Sequence, residues 1–168
     1  EPGNIYERIA NGNPYYRVTT QVYKWAARTT GRRAARIVAT SDEMAVWWNR
    51  CGASYARIVR IPLGVDLKDF VPVANARAHL GWNPEQQHIL FVARLSPETG
   101  AAYLLRALPR IHDQFPAAHV HIVGSGPSEE QLRHIARDLK IEPSITWHGW
   151  LQLSELPRVY AAADVMVF

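Results

Sequence analysis

The sequence contains one cysteine, Cys51, in 168 residues, and it has no apolar run of 18 residues. A single thiol excludes an intramolecular disulfide and fits a reducing compartment. Without a long apolar run there is no support for a membrane-spanning helix, and residues 1–10 lack the charged-then-apolar order of a signal peptide. The composition, 48% hydrophobic and 20% charged, excludes a disordered or fibrous chain. We therefore expect a globular, cytoplasmic protein.

Acidic residues are scarce in the first third of the chain. Residues 1–61 hold ten Lys and Arg against four acids, a net charge of +6, and residues 62–168 hold nine against eleven, a net charge of −2. This asymmetry predicts two structural units, the first facing phosphate, nucleic acid or an anionic membrane, unless the charge is a solvated helix face. No helix-turn-helix, zinc or RRM signal accompanies it, so we expect no nucleic-acid partner. A peripheral contact of residues 14–36 with the inner face of a membrane is the functional interpretation we favour.

Helix and strand patterns alternate along the chain. Pro14, after the cap residue Asn13, predicts a helix that closes at Gly31. Residues 36–40 and 56–61 are strand candidates on either side of a second helix. A strand, a helix and a strand form the crossover unit of a parallel sheet.

The second part repeats this alternation and predicts an α/β fold. Strand candidates are residues 88–93, 119–123, 145–148 and 164–168, and helices are predicted over residues 101–115 and after the caps Ser128 and Ser154. Residues 88–93 form a continuous apolar run, as in a strand that is buried on both faces. Because the last strand candidate is followed by no helix that would cover the sheet, we expect a fragment of a longer chain.

A loop at residues 94–100 follows the first of these strands and leads into a helix. Ligands of open α/β sheets bind at this end of the strands. Free amides and the helix dipole favour an anion there, and Arg94 adds a charged donor. The alternative is a surface turn with Arg94 in a salt bridge.

Two further loops occupy equivalent positions, at residues 124–127 and 149–152. Gly124 and Gly126 either let a ligand approach the backbone closely or form a tight turn. Trp150 is available to a nucleotide base unless it packs in the core.

His119 and His121 share one face of a predicted strand, because side chains alternate along a strand. No third ligand follows at a metal-binding spacing. We therefore expect no metal site.

Five segments together follow a known pattern. They are ARIVATS at residues 35–41, IPLGVDLKDF at 61–70, FVARLSPETG at 91–100, HIVGSGP at 121–127 and YAAADV at 160–165. Their order and spacing resemble glycosyltransferase family 4, also called glycosyl transferases group 1. The resemblance implies the GT-B fold, with Rossmann-like parallel sheets. Residues 1–61 would then be the end of the N-terminal domain, and residues 62–168 the front part of an incomplete C-terminal domain.

The resemblance implies transfer of a sugar from a UDP- or GDP-linked donor to a glycan or lipid-linked acceptor, as in polysaccharide biosynthesis. It further implies retention of anomeric configuration and no bound metal or other cofactor. Carried over by position, Arg94 would pair with the donor pyrophosphate, and the backbone at Trp150 and Leu151 would contact the base. The full set of implied donor-binding residues is Gly64, Arg94, Thr99, Gly100, Gly124, Gly126, Trp150 and Leu151.

Two departures from the family pattern qualify this interpretation. Thr99 stands where the family has lysine, which removes one of two charges that would neutralise the diphosphate. The family's acceptor loop, catalytic histidine and Glu-x7-Glu motif have no counterpart here, so we predict no catalytic residue in these 168 residues and no transfer by this chain alone. The alternative is a non-catalytic or split subunit that binds nucleotide or a partner transferase.

Overall fold

The computed structural model describes residues 14–71 and 73–168, with the side chains of the first helix from Thr19 onward. The chain divides between Val65 and Asp66 into two compact units. The expected cap Asn13 lies outside the described residues. All the strand pairs described are parallel, which confirms the α/β class. The assignment of residues 1–61 and 62–168 to two GT-B domains stays a prediction.

The first unit contains the predicted crossover. Its elements are helix α1 (Pro14–Arg33), strand β1 (Ile37–Ala39), helix α2 (Asp42–Arg50) and strand β2 (Ile58–Arg60). β1 and β2 pair in parallel, with Ile37 opposite Ile58. The Ser41 hydroxyl caps α2 by accepting a hydrogen bond from the Met44 amide at 3.2 Å.

Gly31 does not end helix α1, contrary to the prediction. The helix continues to Arg33, and Gly31 is buried inside it. A Cβ at Gly31 would lie 2.8 Å from the carbonyl oxygen of Cys51. Glycine is therefore required here because two backbones approach closely, and not because the helix terminates.

Arg57 ties the end of α1 to the segment before β2. Its Nη1 donates to the carbonyl oxygens of Arg32 at 3.0 Å and Ala34 at 2.8 Å, and its Nη2 donates to that of Gly31 at 3.3 Å. These bonds satisfy carbonyls at the C-terminal end of the helix, where intrahelical partners run out. One of the ten basic residues of the first unit therefore has a structural role.

The second unit is a four-stranded parallel sheet with the strand order β5-β4-β3-β6. The strands are β3 (Gln87–Val92), β4 (Ala118–Val123), β5 (Ile145–Gly149) and β6 (Val165–Val167). The helices are α3 (Ala76–Leu80), α4 (Ala101–Gln114), α5 (Glu129–Asp138) and α6 (Leu156–Ala162).

Two of the predicted helix caps are wrong in detail. Ser128 precedes α5 without a side-chain capping bond, and Glu155, not Ser154, is the N-cap residue of α6.

Each face of this sheet has its own apolar core. On one face, α4 and α5 cover side chains of β3 and β4 that include Phe91 and Ile122. On the other face, Leu90 and Val123 pack with Trp82 and with residues of α3 and α6. The continuous apolar run of β3 is thus explained by burial on both faces.

Asp164 fastens the start of β6 to β3 and α3. Its Oδ2 accepts from the His88 amide at 2.7 Å, and its own amide donates to the His88 carbonyl at 2.9 Å. Its Oδ1 accepts from Arg77, whose Nε also donates to the Ala162 carbonyl at 2.8 Å. The His88 amide, followed by Arg77, lowers the pKa of the Asp164 carboxyl, so the aspartate remains an anion at neutral pH.

A row of hydrogen-bonded imidazoles crosses the second face of the sheet. His88 Nε2 lies 2.9 Å from the carbonyl oxygen of Asn83, and because a carbonyl only accepts, that nitrogen carries the proton. His88 Nδ1 therefore accepts from His121 Nε2 at 3.0 Å, and His121 Nδ1 accepts from His148 Nε2 at 3.0 Å. Trp82 stacks on the His121 ring, with 3.5 Å between centroids. His121 is therefore a buried core residue whose two ring nitrogens both have hydrogen-bond partners in this row.

Burial opposes protonation of two rings of this row, His121 and His148, and of the neighbouring His119. It lowers the pKa of His121 to about 3, helped by the neighbouring histidines His119, His148 and His88. Burial also lowers the pKa of His119 and of His148.

Stability should therefore fall as the pH falls below about 6.5, because the unfolded chain then binds protons that the folded rings exclude. Each fully excluded ring contributes about 1.4 kcal/mol per pH unit in this range. We expect His121→Phe to reduce the slope of unfolding free energy against pH between 6.5 and 5 by about that amount, as measured by urea denaturation. The exposed His134 supplies the matched control, His134→Phe. Equal slopes in the wild type and in His121→Phe would contradict the assignment.

Candidate functional site

The three predicted loops meet at one edge of the second sheet. The β3 and β4 loops are joined by the bond from the Leu95 amide to the Ser125 carbonyl at 3.0 Å and by the bond from the Ser128 amide to the Leu95 carbonyl at 3.0 Å. The β4 and β5 loops are joined by the Gly124 amide, which donates to the Gly149 carbonyl at 2.7 Å. The three loops thus follow the carboxyl ends of neighbouring parallel strands, as the sequence predicted, and the structure joins them.

Gly124 and Gly126 permit this close approach of loop to loop. A Cβ at Gly124, whose φ is +131°, would lie 1.9 Å from the carbonyl oxygen of Ala93. A Cβ at Gly126 would lie 2.3 Å from that of Leu95. Both missing side chains would thus strike the backbone of the β3 loop, which accounts for the glycines independently of any ligand.

The first loop, residues 94–100, is closed by its own side chains. It contains a 3₁₀ turn (Pro97–Thr99) before Gly100, whose φ is +83°. The Thr99 hydroxyl lies 2.8 Å from the carbonyl oxygen of Arg94 and 2.9 Å from that of Ser96. The Ser96 hydroxyl in turn donates to a Glu98 carboxylate oxygen at 2.7 Å. The Thr99 hydroxyl proton, which we expected to serve a phosphate, is thus directed into the loop.

Arg94 is exposed at the start of this loop, and its guanidinium has no hydrogen bond or salt bridge to any residue that the structure describes. The salt-bridge alternative is therefore not seen within residues 14–71 and 73–168. The pKa of the nearby Glu98 carboxyl is lowered first by the Ser96 hydroxyl and then by its own backbone amide, with a smaller contribution from the charge of Arg94. Sequence analysis did not identify Glu98. The order Ser96-Pro97-Glu98, which puts a hydroxyl two residues before a carboxylate, was the signal that could have indicated this hydrogen bond.

Trp150 stands out from the third loop. Its side chain is 71% exposed, so the interpretation of Trp150 as a packed core residue is wrong. Leu151 beside it is partly buried and packs against the second core. The indole of Trp150 is therefore exposed beside a backbone that Leu151 anchors to the second core.

Gly64 belongs to the other compact unit, and a Cβ there would have no heavy atom within 4 Å. Its role, like the donor-binding roles of the other residues, stays a prediction. Among the residues described, no group of three or more His, Cys, Asp and Glu side chains could hold a metal ion. In the same part of the chain, no helix combines the length and apolar character that a bilayer span requires.

The parallel, Rossmann-like sheets place the chain among α/β proteins of the GT-B glycosyltransferase fold. The family model for glycosyl transferases group 1 matches residues 73–168. The chain belongs to this family.

Curated relatives agree with this assignment. The chain is 30% identical over 155 residues to a GDP-mannose-dependent alpha-(1-6)-phosphatidylinositol monomannoside mannosyltransferase of Mycolicibacterium smegmatis, covering 84% of this chain and 40% of the relative. It is 34% identical over 141 residues to a D-inositol 3-phosphate glycosyltransferase of Pseudarthrobacter chlorophenolicus, covering 80% of this chain and 34% of the relative. The chain thus spans less than half the length of these relatives.

Solved structures show the same fold. Sucrose-phosphate synthase from Thermosynechococcus elongatus superposes with a TM-score of 0.76 at 25% identity, over 87% of this chain and 37% of that one. HepE of Anabaena, in complex with UDP and glucose, superposes with a TM-score of 0.73 at 22% identity, over 85% and 40%.

The role of the loop glycines can be tested on folding alone. Gly126→Ala adds a methyl group against the backbone of Leu95, so we expect it to lower the unfolding free energy by about 2 kcal/mol or more. Gly64→Ala is the matched control, because its methyl group would meet open space. Urea denaturation measures both variants, and equal stability of the two would contradict the steric account.

Proposed function

We propose that the protein to which this chain belongs transfers a hexose-type sugar from a nucleotide-sugar donor to a glycan or lipid-linked acceptor, with retention of configuration. Membership of glycosyl transferases group 1 supports the reaction class. The observation that carries the donor site is Arg94, exposed and unpaired within the described residues at the joined ends of β3, β4 and β5.

The donor would lie along these loop ends. Its diphosphate would face the Arg94 guanidinium and the amide-rich start of α4 at Gly100, where the helix dipole adds a partial positive charge. Its base would stack on Trp150, with the backbone at Leu151 beside it. The joined Gly124 and Gly126 turns would form the floor between the two.

Arg94 has a direct chemical role in this arrangement. When the glycosidic bond of the donor breaks, negative charge develops on the departing nucleoside diphosphate. The Arg94 guanidinium would stabilise that charge through two parallel hydrogen bonds to the diphosphate. The proposed reaction uses no resident metal or cofactor, and the groups that act on the acceptor would come from outside these 168 residues.

The proposal includes both uracil and guanine as the base of the donor nucleotide. The mycolicibacterial relative is named for its dependence on GDP-mannose, whereas the Anabaena neighbour is a complex with UDP and glucose. Both nucleotides therefore belong in every binding experiment.

We expect Arg94→Ala in the complete enzyme to reduce kcat/KM for the donor roughly 10- to 100-fold, since charged hydrogen bonds contribute about 1.5–3 kcal/mol. Arg106→Ala, on the exposed side of α4, is the matched control. Steady-state kinetics with UDP- and GDP-sugars measures the effect. Unchanged kinetics in Arg94→Ala would remove Arg94 from the site, and nucleotide binding without transfer would favour the non-catalytic alternative.

We also propose that the protein works in the cytoplasm at the inner membrane face, with α1 as the contact. Trp25 is 68% exposed on this helix, Arg28 follows it at i+3 on the same side, and Arg33 near the end of the helix is exposed as well. Exposed aromatic and basic side chains together suit an anionic interface.

Vesicle co-sedimentation tests this contact. Replacing Arg28 and Arg33 by glutamine should weaken binding to phosphatidylglycerol vesicles about fivefold for each arginine, because each basic residue near an anionic surface contributes about 1 kcal/mol. Arg110→Gln, exposed in the second unit, is the control. Binding that does not depend on anionic lipid would exclude the proposal.

A further inference from the structure

The backbone around Arg94 is fixed on both sides. Before it, the Ala93 amide donates to the Val123 carbonyl at 3.1 Å. After it, the buried Leu95 is bonded through both its amide and its carbonyl to the β4 loop. The Arg94 carbonyl also accepts from the Ser96 amide, two residues on, at 3.0 Å, so what these bonds leave open is the return of the chain through residues 96–99.

Thr99 closes that remaining part. Its hydroxyl reaches back five residues to the Arg94 carbonyl at 2.8 Å, and both its hydroxyl and its amide, at 2.9 and 3.1 Å, point to the Ser96 carbonyl. The β-branched side chain is half-buried and limited in χ1, so the hydroxyl is held in this direction. A lysine has no hydroxyl and cannot form this closure.

We propose that Thr99 is a positioning residue for Arg94: its hydroxyl holds the loop so that a single guanidinium, on a fixed backbone, serves the donor diphosphate. Thr99 itself does not contact the donor. The inference rests on the proposed donor site and replaces the earlier expectation of a direct phosphate contact. It explains how the site keeps its geometry at a position where the family pattern has a second cation.

A double-mutant cycle separates positioning from direct contact. Thr99→Val keeps the branched shape and removes the hydroxyl, so the Arg94 carbonyl loses its link to residue 99 and keeps only the bond from the Ser96 amide. In the complete enzyme we expect Thr99→Val to raise the donor KM about 3- to 10-fold, and Thr99→Ser to restore most of it. In an Arg94→Ala background the same replacement should change the KM less than about 1.5-fold, because there is no guanidinium left to position.

Equal effects of Thr99→Val with and without Arg94 would overturn the proposal, since Thr99 would then act independently. So would an unchanged KM in Thr99→Val. Urea denaturation of each variant identifies a general loss of stability, and Thr99→Ala, which also lacks the hydroxyl, carries the same comparison if Thr99→Val does not fold.

A second readout needs no nucleotide. Amide ¹⁵N relaxation of the complete protein should show increased motion at Ser96 and Glu98 in Thr99→Val, while Thr99→Ser resembles the wild type. Unchanged relaxation in Thr99→Val would overturn the positioning role. Absence of UDP and GDP binding by the wild-type enzyme would instead contradict the proposed function.

Discussion

The candidate site depends on the close approach of two backbones, where the loop after β4 lies against the loop after β3. At Gly124 and Gly126 the separation leaves no space for a Cβ, and amide-to-carbonyl bonds at Leu95 and Ser128 hold the loops in this register. A bond from Gly124 to Gly149 extends the contact to β5. These three loops, each 20 to 30 residues after the previous one in the sequence, thereby form one surface.

The hydrogen-bonded loops matter because the site has few charged side chains. Arg94 is an exposed cation on a fixed backbone, and Glu98 beside it is held as an anion by the Ser96 hydroxyl. A site with one guanidinium gains most when that group is already oriented, because less conformational freedom is lost on binding. The bonds of Thr99 contribute by holding the backbone from which the Arg94 side chain extends.

Sequence patterns predicted the parallel α/β class and the strands, because β-branched and apolar runs alternate with helical periodicity. They also predicted that the loops with Arg94, Gly124 and Trp150 share one edge. They missed α3, which is only five residues long and begins after Asn75 in a left-handed conformation. They misjudged Gly31 and could not identify the steric reason for Gly124, since a glycine's tertiary neighbour is not visible in sequence. The imidazole row was equally hidden, because His88, His121 and His148 come from three strands.

Recognition of the nucleoside diphosphate by Arg94 is the central claim, and calorimetric comparison of a nucleotide with its nucleoside tests it most directly. We predict that UDP or GDP binds the complete protein at least tenfold more tightly than uridine or guanosine, and that this preference is largely lost in Arg94→Ala. A preference for the diphosphate that persists undiminished in Arg94→Ala would contradict the account.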